Sequence, residues 1–177
     1  MGVDTIVLAE HHVDDLEEVL GLLKTGQDIF TEHMSAFWKP TSWATSNPSL
    51  DWYWDTEFSE MNFRELYGPA GFSLHFGPNS LYKINGPRWN SFIDDPAMQI
   101  AVESVCLFIG QVFKSKKLIY VPDSAYPASA AADKLWDFSS FSALENWLRH
   151  TCHEPAEPPS KIHLDSTDSD GYYVYDV

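Results

Sequence analysis

Residues 95–121 read DPAMQIAVESVCLFIGQVFKSKKLIYV, and this stretch decides the fold class. Asp95 is a good helix N-cap, and Pro96 fits the first helical position, where its missing N–H does no harm. Residues 97–113 are apolar almost all round, with Gln99, Glu103, Ser104 and Gln111 as exceptions. A helix of that kind is buried on more than one side. Lys114, Lys116 and Lys117 follow at its end, where positive charge favours the helix dipole. Leu118-Ile119-Tyr120-Val121 then reads as an apolar, central strand.

Just upstream, Phe72, Leu74 and Phe76 alternate with Ser73 and His75, a period of two. Gly77-Pro78-Asn79-Ser80 turns the chain and Leu81–Asn85 runs back, which predicts a hairpin. Strand 81–85, helix 96–114 and strand 118–121 have the lengths of a β-α-β unit, with an antiparallel placement as the other option.

Further out the signals are shorter. Thr5–Ala9 is β-branched enough for a first strand, or for a helical lead-in. Asp14 and Glu17 have capping-box spacing, and Leu16, Val19, Leu20 and Leu23 predict a helix over 14–36 with a bend near Gly26. Glu57–Tyr67 reads as a short helix stopped by Gly68-Pro69. Residues 131–137 read as another short helix. Ser142 and Glu145 form a second capping box, opening a helix over 142–150. Tyr172–Tyr175 reads as a last strand. The expectation is one domain over residues 1–177, α/β or α+β. A mixed sheet of about four to six strands packs against three main helices.

The 177 residues carry a net charge of −15. Residues 1–60 hold −10 and residues 118–177 hold −7, while the middle segment holds +2. Such a surface repels phosphate backbones, which argues against nucleic acid and suits a basic protein partner. Cys106, in an apolar run, reads as a buried small hydrophobe, and two isolated cysteines make no disulfide framework. No apolar stretch reaches membrane-spanning length, and residues 1–15 lack a signal-peptide pattern. The expectation is a cytoplasmic protein that does not enter membranes.

Three clusters have a metal-like composition. His11-His12 with Asp14 and Asp15 has adjacent histidines that point apart, and its acids suit capping. His150, Cys152 and His153 are too close in sequence to converge as a tetrahedron. Asp165–Asp170 with Gly171 lacks both anchoring acids of a calcium loop. No metal or other cofactor is expected.

Two patterns remain. Trp43, Trp52 and Trp54 stand in a loop-like segment beside Asp51 and Asp55, and aromatic rings in an acidic frame can grip a basic peptide. The same rings can fold down as a lid on the core. Asp123 follows strand 118–121, at the carboxyl end where α/β sheets bind ligands, and His75 is the acid/base partner it would need.

The profile is acidic and small, with few cysteines and no catalytic motif. It resembles that of small bacterial toxin-neutralising proteins, a likeness of profile that brings no site residue with it. The leading expectation is therefore a non-enzymatic binding domain, inhibitor-like or immunity-like, for a basic partner. The alternative is a small hydrolase using Asp123 and His75. A homo-oligomer joined through the aromatic segment is a third option.

Overall fold

The spine of the molecule is its first strand. The computed structural model describes residues 4–25, 52–54, 64–68, 72–88, 95–122, 127–156 and 171–177. Asp4–Glu10 forms β1, whose Ile6–Ala9 are all buried because both faces of the strand are covered. Helix α1 spans Leu16–Thr25. The remaining strands are β2 (Tyr53–Trp54), β3 (Arg64–Tyr67), β4 (Ser73–Phe76), β5 (Leu81–Arg88), β6 (Lys117–Pro122) and β7 (Tyr173–Asp176). Between them lie α2 (Pro96–Val112), α3 (Ser129–Asp133), a 3-10 turn (Leu135–Asp137) and α4 (Phe141–Cys152).

Among the described residues, seven strands form one sheet in the order β2-β3-β4-β5-β1-β6-β7. Every neighbouring pair is antiparallel, so the sheet is not mixed, and it has more strands than the sequence predicts. The fold is α+β. Strands β5 and β6 do run in the same direction, as a β-α-β unit requires. They are not neighbours, however, because β1 lies between them and opposes both.

The two faces bury separate cores. On one, Val7, Ala9, Leu74, Phe76, Tyr82, Ile84, Leu118 and Tyr120 meet Val19 and Leu23 of α1 and the buried side of α2. On the other, Ile6, Leu8, Leu81, Ile119 and Val121 meet α3 and α4. The alternation along each strand sorts side chains between the two cores, since a strand's period is two.

Helix α2 starts as its sequence dictates: the Asp95 carboxylate accepts from the N–H groups of Ala97 and Met98. Its end differs. Val112 is the last helical residue, Lys114 takes a positive φ of 58°, and the lysines lie beyond the last turn. Helix α4 is capped by Ser140, whose Oγ accepts from the N–H of Ala143, not by Ser142, which lies inside the helix. Glu145 instead pairs with Lys117 at 2.7 Å. Arg64–Tyr67, expected at the end of a helix, is strand, because β4 offers it a pairing edge along its full length. Helix α1 begins after Asp14 and Asp15, and the expected continuation to residue 36 lies outside the described residues. The hairpin of β4 and β5 is as expected, with Asn79 and Ser80 both at positive φ in its turn.

Candidate functional site

The second face of the sheet is divided. Its β1, β6 and β7 side is apolar and lies under α3 and α4. Toward β2 the same face turns polar: Tyr53, Glu65, Tyr67, Ser73, His75, Lys83 and Asn85 all point to it. The register fixes this. Tyr53 stands opposite Tyr67, Tyr67 opposite Ser73, and Ser73 opposite Asn85. One row along, Glu65 stands opposite His75 and His75 opposite Lys83. Directly opposed residues in antiparallel strands hold their side chains within about 5.5 Å, so each row is a line of touching groups.

His75 is the centre. Its Nδ1 lies 2.8 Å from Glu65 Oε1. A carboxylate only accepts, so Nδ1 carries the proton. Asn85 Nδ2 lies 2.7 Å from His75 Nε2, and an amide nitrogen only donates, so Nε2 presents its lone pair. Asn85 Nδ2 also reaches Ser73 Oγ at 3.1 Å, and that hydroxyl is itself 3.1 Å from Nε2. The phenol of Tyr67 donates to the second oxygen of Glu65 at 2.7 Å. Desolvation is the main effect on His75 and holds its pKa below the ordinary 6.5; Glu65 opposes this and Lys83 adds to it. The imidazole is therefore neutral at pH 7, in a tautomer set by its neighbours.

At the rim, Tyr53 is 54% exposed and stacks on Tyr67 with ring centres 5.5 Å apart. At the hairpin end, Trp136 of the 3-10 turn lies against Gly77, where any side chain would collide with the indole. Asn79 Nδ2 donates to the Phe138 carbonyl and ties the same turn to that segment.

The aromatic segment is only partly described. Trp43, Asp51 and Asp55 lie outside the described residues. Trp52 and Trp54 do share a side, but it is the side of the first core. Trp52 is 2% exposed, with its ring against Gly68. Trp54 packs on Phe76 and is covered by the Arg64 guanidinium, 4.0 Å above its ring. The residue between them, Tyr53, is the one that points outward.

Asp123 also lies outside the described residues. Strands β5 and β1 stand between the strand of His75 and β6, and the carboxylate on His75 is Glu65. His150 bonds to the Asn146 carbonyl within α4, Cys152 is buried, and the Asp165–Asp170 run lies outside the described residues. Among the described residues no three His, Cys, Asp or Glu side chains converge on a metal site. Nor is any described helix long and apolar enough to cross a membrane.

The sequence reading named His75 but missed Glu65, Tyr67, Ser73 and Asn85. Ser73 and His75 alternate with core residues, which already puts them on one face. With the turn at 77–80 fixing register, Asn85 falls opposite Ser73. Glu65 was not reachable, because its segment read as helix. No family model matches the chain, and neither a curated protein nor a solved structure matches it. The functional reading rests on this geometry.

Proposed function

We propose that the protein is a binding domain for a basic protein partner, in the manner of an inhibitor, and that it docks through the Tyr53–Tyr67–Glu65 end of the sheet. The observation that carries this reading is the exposed Tyr53 stacked on Tyr67, whose hydroxyl holds Glu65. Tyrosine is among the residues enriched at the few hot spots that dominate protein interfaces, and its face also holds cations. The strands and hydrogen bonds fix these side chains in advance, so binding loses little side-chain entropy. The net charge of −15 steers a basic partner toward the domain.

Affinity capture from source-cell lysate, with the bound protein identified and crosslinked by a zero-length carbodiimide, tests this. Crosslinks should join Glu65 to partner lysines. Tyr53→Ala should weaken capture by about tenfold or more, the effect of losing one interface hot spot. Undiminished capture by Tyr53→Ala, with crosslinks confined to other faces, would overturn the reading.

One observation favours a second reading, a hydrolase. Ser73 Oγ, His75 Nε2, His75 Nδ1 and Glu65 Oε1 form a nucleophile–base–carboxylate series with steps of 3.1 and 2.8 Å. In that reading Ser73 attacks an acyl carbon as its proton passes to Nε2. The leaving group takes that proton, and water then releases the acyl group. Two features rank it second. Ser73 is 8% exposed, and its strand is paired on both sides, which engages the backbone N–H groups that would hold an oxyanion. A fluorophosphonate probe decides. A mass adduct on Ser73 that His75→Gln abolishes would establish the hydrolase, whereas the docking reading expects no adduct on folded protein.

A further inference from the structure

We propose that His75 is a proton-operated latch on this docking face: a proton taken up at Nε2 sets two donors against each other, Asn85 lets go, and the face releases a basic partner. The inference rests on the docking reading above and names its regulation.

The geometry supplies the mechanism. In the neutral state, Asn85 Nδ2 donates to Nε2 across 2.7 Å. Once Nε2 carries a proton, two N–H groups face each other at that distance. A donor cannot accept, so the contact becomes repulsive. Turning the Asn85 amide over would present its oxygen to the imidazolium. That same turn would take Nδ2 away from Ser73 Oγ, which it now reaches at 3.1 Å. Either way the hydrogen bonds joining His75, Ser73 and Asn85 are rearranged, because the one Asn85 amide nitrogen serves both Nε2 and Ser73 Oγ.

Charge works in the same direction. Among the described residues the charged groups facing His75 are Glu65 on β3 and Lys83 on β5, one across each ladder. Beside them, among the described residues, is the Tyr67 phenol, held by Glu65. With His75 neutral, Glu65 and Lys83 sum to zero and the Glu65 carboxylate remains available to a cation. With His75 protonated, the imidazolium neutralises Glu65 at 2.8 Å and leaves Lys83 in excess. A basic partner then meets a positive patch.

The sign follows from burial. Desolvation holds the His75 pKa below 6.5, so the paired state persists through neutral pH and is lost as pH falls through that lowered value. The same linkage applies to stability. The contribution of neutral His75 is complete above 6.5 and disappears on acidification.

The test has two arms on the full chain. In the first, NMR follows the His75 ring and the Asn85 side-chain amide from pH 8 to 4 without any partner. The latch expects a His75 midpoint below that of an exposed histidine, with the Asn85 amide signals moving at the same midpoint. A midpoint at or above the exposed value, or an Asn85 amide that does not follow His75, overturns the latch and leaves the docking reading standing. In the second arm, a fluorescent deca-lysine peptide at fixed salt reports binding by anisotropy. Wild-type affinity should fall below the His75 midpoint by up to about tenfold per pH unit, the limit for one coupled proton. His75→Gln should lack that extra fall, since its amide can donate to Glu65 and accept from Asn85 but does not titrate. Equal pH profiles for wild type and His75→Gln overturn the latch. Deca-lysine binding that Tyr53→Ala leaves unchanged at pH 7.5 instead counts against the docking face itself.

Discussion

Trp52→Ala should lower the stability of the protein by about 3–5 kcal/mol, the usual cost of deleting a buried aromatic side chain. The ring is 2% exposed and lies against Gly68, where even a methyl group would strike it. The substitution removes apolar area from the core and leaves a cavity, which neighbouring strands can only partly close. Urea denaturation is the measurement. With a slope of about 1–3 kcal/mol per molar, the midpoint should fall by roughly 1–5 M. Tyr53→Ala, one residue along, should leave the midpoint almost unchanged, since that ring is 54% exposed on the other face. The pair separates the roles of two adjacent residues: Trp52 packs in the core, and Tyr53 is the ring proposed to meet the partner. A midpoint shift below about 0.3 M for Trp52→Ala would mean that the ring is not a core residue.

Phe113→Ala should be equally damaging, at about 3–5 kcal/mol. Phe113 is fully buried just past the end of α2 and joins three segments. Its ring centre lies 5.0 Å from Tyr82 and 5.2 Å from Phe76, so it clamps the β4–β5 hairpin to the helix. His11 approaches from the β1–α1 connection at 6.4 Å, and the His12 N–H donates to the Phe113 carbonyl at 2.9 Å. Nearby, Ser115 spends its only proton on the Glu10 carbonyl, so the Tyr82 phenol donates to Ser115. Removing the ring leaves Tyr82 and Phe76 without their common neighbour. For a chain of this length about 1 kcal/mol shifts Tm by 2–4 °C, so a fall of roughly 6–20 °C is expected by calorimetry. A fall under about 2 °C would contradict the packing described for this cluster.

Much of this architecture was legible where local chemistry is decisive. Asp95 and Pro96 announce α2, and the alternation of Phe72–Phe76 with a polar turn announces the hairpin. These rules concern residues a few positions apart, which the chain satisfies before any tertiary contact forms. Strand order is a different kind of fact. The lengths of β5, α2 and β6 suit adjacent parallel strands, and nothing within residues 81–121 shows that a strand some seventy positions earlier fits between them. Strand β3 was misread for a related reason. With only Leu66 buried, its pattern is too short to have a period, and the β4 edge decides its state.

The site was half legible. His75 and Ser73 share a face by alternation alone, but the carboxylate that orients His75 comes from another strand. The acid singled out in the sequence, Asp123, follows β6, which β5 and β1 separate from the strand of His75. Likewise the spacing of Trp52 and Trp54 correctly places them on one side. Which side is decided by the core and not by the spacing, and it leaves Tyr53 as the outward ring.

The central place of β1 has a consequence for synthesis. Its Ile-Val-Leu-Ala run leaves the ribosome before either of its partners, which end at residues 88 and 122. At about 5–20 residues per second, the nascent chain carries an apolar strand with at least one open edge for roughly 6–22 s before β6 exists. Such an edge readily pairs with other chains. A strand that ends up enclosed on both edges thus waits through the synthesis of both partners, and it is there that a chaperone has an edge to protect.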